Sequence, residues 1–225
     1  MILWIFCIFI VIEYNHPVAI LLNRPNDDFG ESSKRRFWRI AYGCYNIYMI
    51  FVQPKKTLHD MNIAEGMTVV DFDAGAGYYT MALAEKVGPH GKVFAIDTRS
   101  DLLTRIANEA KSAHHKNVEV MRGDIESPNG SGLLNESVDR VVIANTLFVC
   151  DYPEKAVKES IRILKPKGKI AVIDWLDSFN HFGPHPDCII PKEHIIAWFA
   201  KDGMTLEKEF DAGDYHYGLV FKFKD

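Results

Sequence analysis

Several absences bound what this chain of 225 residues does. Positive charge is not in excess: 26 Lys and Arg stand against 30 Asp and Glu, and a net charge of −4 has the wrong sign for a nucleic-acid partner. Cysteine is sparse, and Cys7, Cys44, Cys150 and Cys188 show no metal-type spacing. A disulfide framework is therefore not expected, and a reduced, cytoplasmic catalytic domain is. The chain has no internal repeat and no low-complexity tract. Its apolar start lacks both a basic leader and a small-residue cleavage site, which argues against a cleaved signal peptide.

What is present is enough apolar sequence, 48% of residues, for one sizeable core. The most informative stretch is Val69-Val70-Asp71-Phe72-Asp73-Ala74-Gly75-Ala76-Gly77-Tyr78-Tyr79-Thr80, an apolar strand that turns through glycines into a helix. Without a Cβ, Gly75 and Gly77 let the backbone approach a ligand closely. A second strand from Lys92 to Ile96 ends in Asp97, where a carboxylate can accept from both hydroxyls of a ribose. A third, Asn117 to Met121, leads into Arg122-Gly123-Asp124-Ile125, and a fourth, from Asp139, ends at Asn145. A fifth follows the turn Leu164-Lys165-Pro166-Lys167-Gly168-Lys169. Helical patterns start at Tyr78, Asp101, Pro153 and Pro191 and alternate with these strands, which predicts a doubly wound α/β sheet with ligands at its carboxyl edge. Thr205 to Asp211 and Tyr215 to Lys224 read as a closing antiparallel hairpin around Ala212-Gly213-Asp214.

From Met61 to the C-terminus these motifs resemble the class I S-adenosylmethionine-dependent methyltransferases. The Leu-Lys-Pro turn is similar to that of the small-molecule branch, which includes quinone and arsenite methyltransferases. The resemblance implies a Rossmann-like, seven-stranded, mostly parallel sheet with a C-terminal antiparallel hairpin, and S-adenosylmethionine as cofactor. It implies a cofactor site made of Asp71, Asp73, Ala74, Gly75, Gly77, Tyr78, Asp97, Thr98, Gly123, Asp124, Ile125 and Asn145. In that site Asp97 would hold the ribose and Asp124 the adenine edge, and Asn145 would face the transferring methyl. Asp73 departs from the family, standing where its first motif glycine would be. Aspartate tolerates positive φ better than most residues, and its charge could favour the cofactor's sulfonium or amino group, yet would repel its carboxylate. A non-catalytic S-adenosylmethionine-binding protein is therefore a second reading. A nicotinamide-dependent oxidoreductase is a third, weakened because Thr80 occupies the place of its third glycine.

For the methyl acceptor, a small molecule or lipid is expected. Asn145-Thr146-Leu147-Phe148 does not match the Asn-Pro-Pro-Tyr motif of nucleic-acid and protein methyltransferases. The loop from Asp174 to Asp187 carries His181 and His185, each a candidate general base or else a solvated or capping residue. No metal is expected, since His181, His185, Asp187 and Cys188 lack a defined ligand spacing. Tyr215-His216-Tyr217 could line the acceptor pocket or simply pack. Cys150 and Cys188 invite comparison with thiolate-using arsenite enzymes, against the commoner role of core cysteine.

Residues 1–52 have a different texture and are read as an N-terminal helical extension before a methyltransferase domain spanning 53–225. Met1 to Ile12 is apolar, Glu13 to Pro17 interrupts, and Val18 to Leu22 resumes. A spanning helix needs about 20 apolar residues, so this segment is marginal as an anchor. Arg24 and the positive residues from Lys34 to Arg39 on its C-terminal side would keep the catalytic domain cytoplasmic if it entered a bilayer. Attachment to a membrane surface and helices folded over the cofactor cleft are both open readings.

Overall fold

A computed structural model describes residues 54–178 and 184–224. Runs of β-branched residues set the strands, and alternating amphipathic stretches set the helices. In chain order these are α1 (Pro54–Asp60), β1 (Thr68–Phe72), α2 (Tyr78–Val87), β2 (Lys92–Asp97), α3 (Ser100–Ser112), β3 (Val118–Arg122) and β4 (Val138–Ala144), followed by α4 (Pro153–Ile163), β5 (Leu164–Trp175), α5 (Lys192–Lys201), β6 (Met204–Asp211) and β7 (His216–Phe223). Single 3₁₀ turns lie at Leu147–Val149 and Pro186–Cys188.

The seven strands form one sheet in the order β3-β2-β1-β4-β5-β7-β6. Strands β1 to β5 are mutually parallel, and β7 runs antiparallel between β5 and β6. The chain winds outward from β1 in one direction to β2 and β3, and in the other to β4 and β5. The crevice between β1 and β4 is thus the topological switch point, where open α/β sheets bind ligands. The inserted antiparallel strand is the expected feature that separates this sheet from an all-parallel dinucleotide-binding one.

Both sheet faces are covered, which is why the central strands read as continuous apolar runs. Ala156 and Ile163 of α4 and Phe199 of α5 pack on Phe72, Ile143 and Val172 from one side. Leu83 and Val87 of α2, with Leu58 of α1, pack on Val69, Val142 and Val220 from the other. Phe199 stacks on Phe221 of β7 with ring centroids 4.0 Å apart. Pro153 opens α4, where a missing N–H costs nothing.

Two local readings are corrected. The Leu164–Lys169 stretch is not a turn ahead of the fifth strand but part of it. Val138 pairs with Leu164 and Arg140 with Lys169, so Lys165 to Gly168 bulge out of the ladder. Pro166 has no N–H to give that ladder, and a Cβ on Gly168 would lie 2.5 Å from Leu164 Cδ1. The last strand starts at His216 rather than Tyr215, because Tyr215 has φ 66° and belongs to the turn. No helix among the described residues is long and apolar enough to cross a membrane. The expected extension over residues 1–52 and its boundary lie outside the described residues.

Candidate active site

The carboxyl end of β1 enters a turn in which alternate residues are left-handed: Asp73 at φ 55°, Gly75 at 53° and Gly77 at 84°. The turn is fastened to the next strand by Ala74 N–H donating to the Ile96 carbonyl at 3.0 Å, and it closes with Gly77 N–H on the Ala74 carbonyl at 2.8 Å. The two glycines meet different surroundings. A Cβ on Gly77 would lie 2.7 Å from Ile106 Cγ1 of α3, whereas one on Gly75 would approach nothing nearer than the Asp73 carbonyl at 3.7 Å. Gly77 is thus required by protein packing, and Gly75 faces space. Gly77 also precedes α2 and has no side chain with which to cap it.

Asp97, at the end of β2, is buried and completes this turn. Its Oδ2 accepts the Gly75 amide at 2.9 Å and its Oδ1 the Arg99 amide at 2.8 Å. A carboxylate retains further lone pairs, so both oxygens can still accept hydroxyl donors. Asp71, one turn deeper, accepts the Thr80 hydroxyl at 2.6 Å. Burial pushes its carboxyl up to about 7; the Thr80 hydrogen bond opposes that rise and the Asp97 charge adds to it.

On the other side of the crevice, Asn145 follows β4 directly and is left-handed at φ 56°. Its amide donates to the Ile173 carbonyl at 2.8 Å, while its side-chain Oδ1 is buried without a hydrogen-bond partner. Thr146 Oγ1 bridges back to the Phe72 carbonyl of β1 at 3.3 Å, holding the two lips together. Beyond it Phe148 and Val149 pack on Trp175 at the end of β5. Asp174 is fully enclosed, and burial lifts its carboxyl to about 7 against the opposing amides of Trp175, Phe148 and Leu147.

A family model described as a methyltransferase domain matches residues 63–193. The chain belongs to the class I S-adenosylmethionine-dependent methyltransferase family. A SAM-dependent methyltransferase from Aquifex aeolicus superposes with a TM-score of 0.71 at 26% identity, covering 86% of this chain and 98% of that one. A demethylmenaquinone methyltransferase from Lactococcus lactis is 32% identical over 69% of this chain and 57% of its own length. An arsenite methyltransferase from Halobacterium salinarum is 26% identical over 56% of this chain and 30% of its own length. The chain spans about half the length of the demethylmenaquinone methyltransferases it matches.

Against the methyltransferase pattern, the structure brings Asp71, Asp73, Ala74, Gly75, Gly77, Tyr78, Asp97 and Asn145 to one crevice. Thr98 follows Asp97, and its carbonyl receives Arg122 Nε at 3.2 Å. Gly123 is needed for close packing, since a Cβ there would lie 2.4 Å from the Gly130 carbonyl. Ile125 is buried, whereas Asp124 is exposed and spends its oxygens on the Glu126 amide and the Ser127 hydroxyl, which shapes its own turn. Tyr79 turns away from the crevice into the core, its hydroxyl 3.3 Å from Thr57 Oγ1. His185 acts as a cap: its Nδ1 accepts the Asp187 amide at 3.3 Å. His181 lies outside the described residues. Cys150 and Cys188 are buried thiols in no disulfide, and no group of three His, Cys, Asp or Glu among the described residues could hold a metal.

Sequence reasoning missed two members. Thr80 was visible as a hydroxyl at the third helical position, but only folding aims it at Asp71. Asp174 looked like the first residue of a polar loop, and it is instead the penultimate residue of a buried strand.

Proposed function

We propose that this chain binds S-adenosylmethionine between β1 and β4 and transfers its methyl group to a small or lipophilic acceptor. The observation that carries the reading is the Asp97–Gly75 hydrogen bond, which sets a carboxylate and a Cβ-free turn side by side at the switch point. When bound there, the cofactor supplies an electrophilic methyl on sulfur, and an acceptor atom in line displaces the neutral thioether. Asp97 would accept the ribose hydroxyls through its remaining lone pairs. Gly75 would admit the methionine portion over its open face, next to the N-terminus of α2. Asn145, whose buried Oδ1 lacks a partner, would meet the cofactor near the reacting centre. Asp124 would hold the adenine edge with lone pairs its own turn leaves over. Positioning is the main catalytic contribution such a site makes.

The names of the relatives, a quinone and an arsenite methyltransferase, support a small-molecule acceptor. The test is calorimetric titration of the full chain with S-adenosylmethionine and with S-adenosylhomocysteine, followed by incubation with a reduced quinone and with arsenite and mass analysis for an added methyl. Micromolar cofactor binding with methylated product is expected. Cofactor binding with no methylated product would favour the non-catalytic reading that Asp73 motivates, and no cofactor binding would remove the proposal.

A further inference from the structure

The segment that leaves β4 is held from a neighbouring strand. Asn145, at φ 56°, lies between two anchors: its amide extends the ladder to the Ile173 carbonyl at 2.8 Å, and the 3₁₀ turn Leu147–Val149 follows one residue later. Thr146 stands at the N-cap of that turn and does not cap it, because its hydroxyl goes to the carbonyls of Phe72 and Ala144, at 3.3 and 3.1 Å. The amides of Leu147 and Phe148 are met instead by the carboxyl of Asp174, the penultimate residue of β5, whose Oδ1 also accepts the Trp175 amide at 2.9 Å.

A carboxyl is a costly group to place here. Asp174 is 1% exposed, its Oδ2 has no hydrogen-bond partner, and no cation among the described residues offsets its charge. Tyr217, its partner across the ladder to β7, gives its hydroxyl to the Ile190 carbonyl at 2.9 Å. A neutral serine or asparagine at the N-cap itself would serve a short turn without a buried charge. What the carboxyl adds is strength from a separate strand, since charge-assisted hydrogen bonds are about twice as strong as neutral ones. The register places that strength beside the crevice: Ala144 pairs with Ile173, so the next residue along each strand is Asn145 and Asp174.

We infer that Asp174 is a positioning residue for methyl transfer, its carboxyl gripping the Leu147 and Phe148 amides and so holding Asn145 in its left-handed conformation at the crevice. The inference rests on the methyl-transfer reading above, in which Asn145 meets the cofactor, and it adds a residue that never touches the ligand.

The test is a double-mutant cycle on the full chain, read by calorimetric titration with S-adenosylmethionine. Asp174→Ala and Asn145→Ala should each weaken binding about tenfold, and the double variant no more than either single, because one residue acts through the other. A merely structural cap would add its own loss to that of Asn145→Ala. Asp174→Asn keeps an oxygen for the amides and should lose only about threefold, again with no further loss when combined with Asn145→Ala. Should Asp174→Ala fail to fold, the Asp174→Asn cycle decides alone. In ¹H–¹⁵N spectra without ligand, the Leu147 and Phe148 amides should shift upfield in Asp174→Ala, while the Gly75 amide, held by Asp97 on the other lip, stays in place. Losses that multiply in the double variants, wild-type binding by Asp174→Ala or by Asn145→Ala, Asp174→Asn no better than Asp174→Ala, or unmoved Leu147 and Phe148 amides would each overturn the inference. Failure of wild type itself to bind would strike the methyl-transfer reading, and the inference with it.

Discussion

Asp97 Oδ2 accepts the amide of Gly75 at 2.9 Å, so the residue read from sequence as a ribose ligand is also the clasp of the glycine turn. Its second oxygen holds the Arg99 amide at 2.8 Å, at the start of α3. Asp97→Ala should thus do two things. Loss of charge-assisted hydrogen bonds to two amides lowers stability by about 2 kcal/mol, seen in urea unfolding without ligand. Cofactor affinity should fall by more than tenfold in calorimetry. A variant with unchanged affinity would take Asp97 out of the site and leave it a purely structural clasp.

Asp73 sits at φ 55° where a glycine would be free of strain. If S-adenosylmethionine binds against this turn, the Asp73 carboxylate should favour it over S-adenosylhomocysteine, which carries one positive charge fewer. Asp73→Gly should retain the fold and gain up to about 1 kcal/mol in unfolding free energy from relief of the backbone. The ratio of affinities should move toward S-adenosylhomocysteine by about threefold to tenfold, measured by titrating both ligands into both proteins. A ratio that stays fixed would show that the carboxylate does not act on the sulfonium.

Much of this architecture was legible in the chain. Buried apolar strands that run into Asp73, Asp97 and Asn145 announce themselves by their apolar runs and by the polar residue that stops them, and the closing hairpin is marked by Gly213. What was not legible depends on long-range geometry. The bulge at Lys165 to Gly168 arises only when β4 sets the register. Asp124 has the right place in sequence, but local amide donors at Glu126 and a hydroxyl at Ser127 draw its oxygens into a turn. His185 and His216 are equivalent as letters; tertiary packing makes the first a cap and gives the second a buried, fixed lone pair.

The buried carboxyl and the buried imidazole act on stability with opposite sign. Asp71 is raised from 3.8 to about 7, so the folded chain keeps a proton that the unfolded chain has released, and its contribution falls as pH rises from about 4 to about 7. His216 is lowered from 6.5 to about 4, so the unfolded chain binds the extra proton and its contribution rises with pH over about 4 to 6.5. The difference in unfolding free energy between wild type and Asp71→Asn should therefore shift against wild type with increasing pH. For His216→Gln the difference should shift in favour of wild type. Urea titrations at half-unit steps from pH 4.5 to 7.5 read both, and parallel curves for either variant would contradict the burial assigned to that group.

The two glycines of the turn separate protein packing from ligand binding. At Gly77 a Cβ meets Ile106 Cγ1 at 2.7 Å on top of a φ of 84°, so Gly77→Ala should lose about 2 to 3 kcal/mol of stability, with binding reduced because the turn is displaced. Ile106→Val in the same chain should return only part of that loss, since the backbone strain remains. At Gly75 the φ is 53° and the nearest atom to a Cβ is 3.7 Å away, so Gly75→Ala carries only a left-handed backbone cost of about 1 kcal/mol. Its added methyl instead stands where the cofactor would approach the backbone. Cofactor affinity should therefore fall far more than stability does at Gly75, and in step with stability at Gly77. If unfolding curves and titrations give both variants the same ratio of lost affinity to lost stability, the open face of Gly75 is not where the ligand lies.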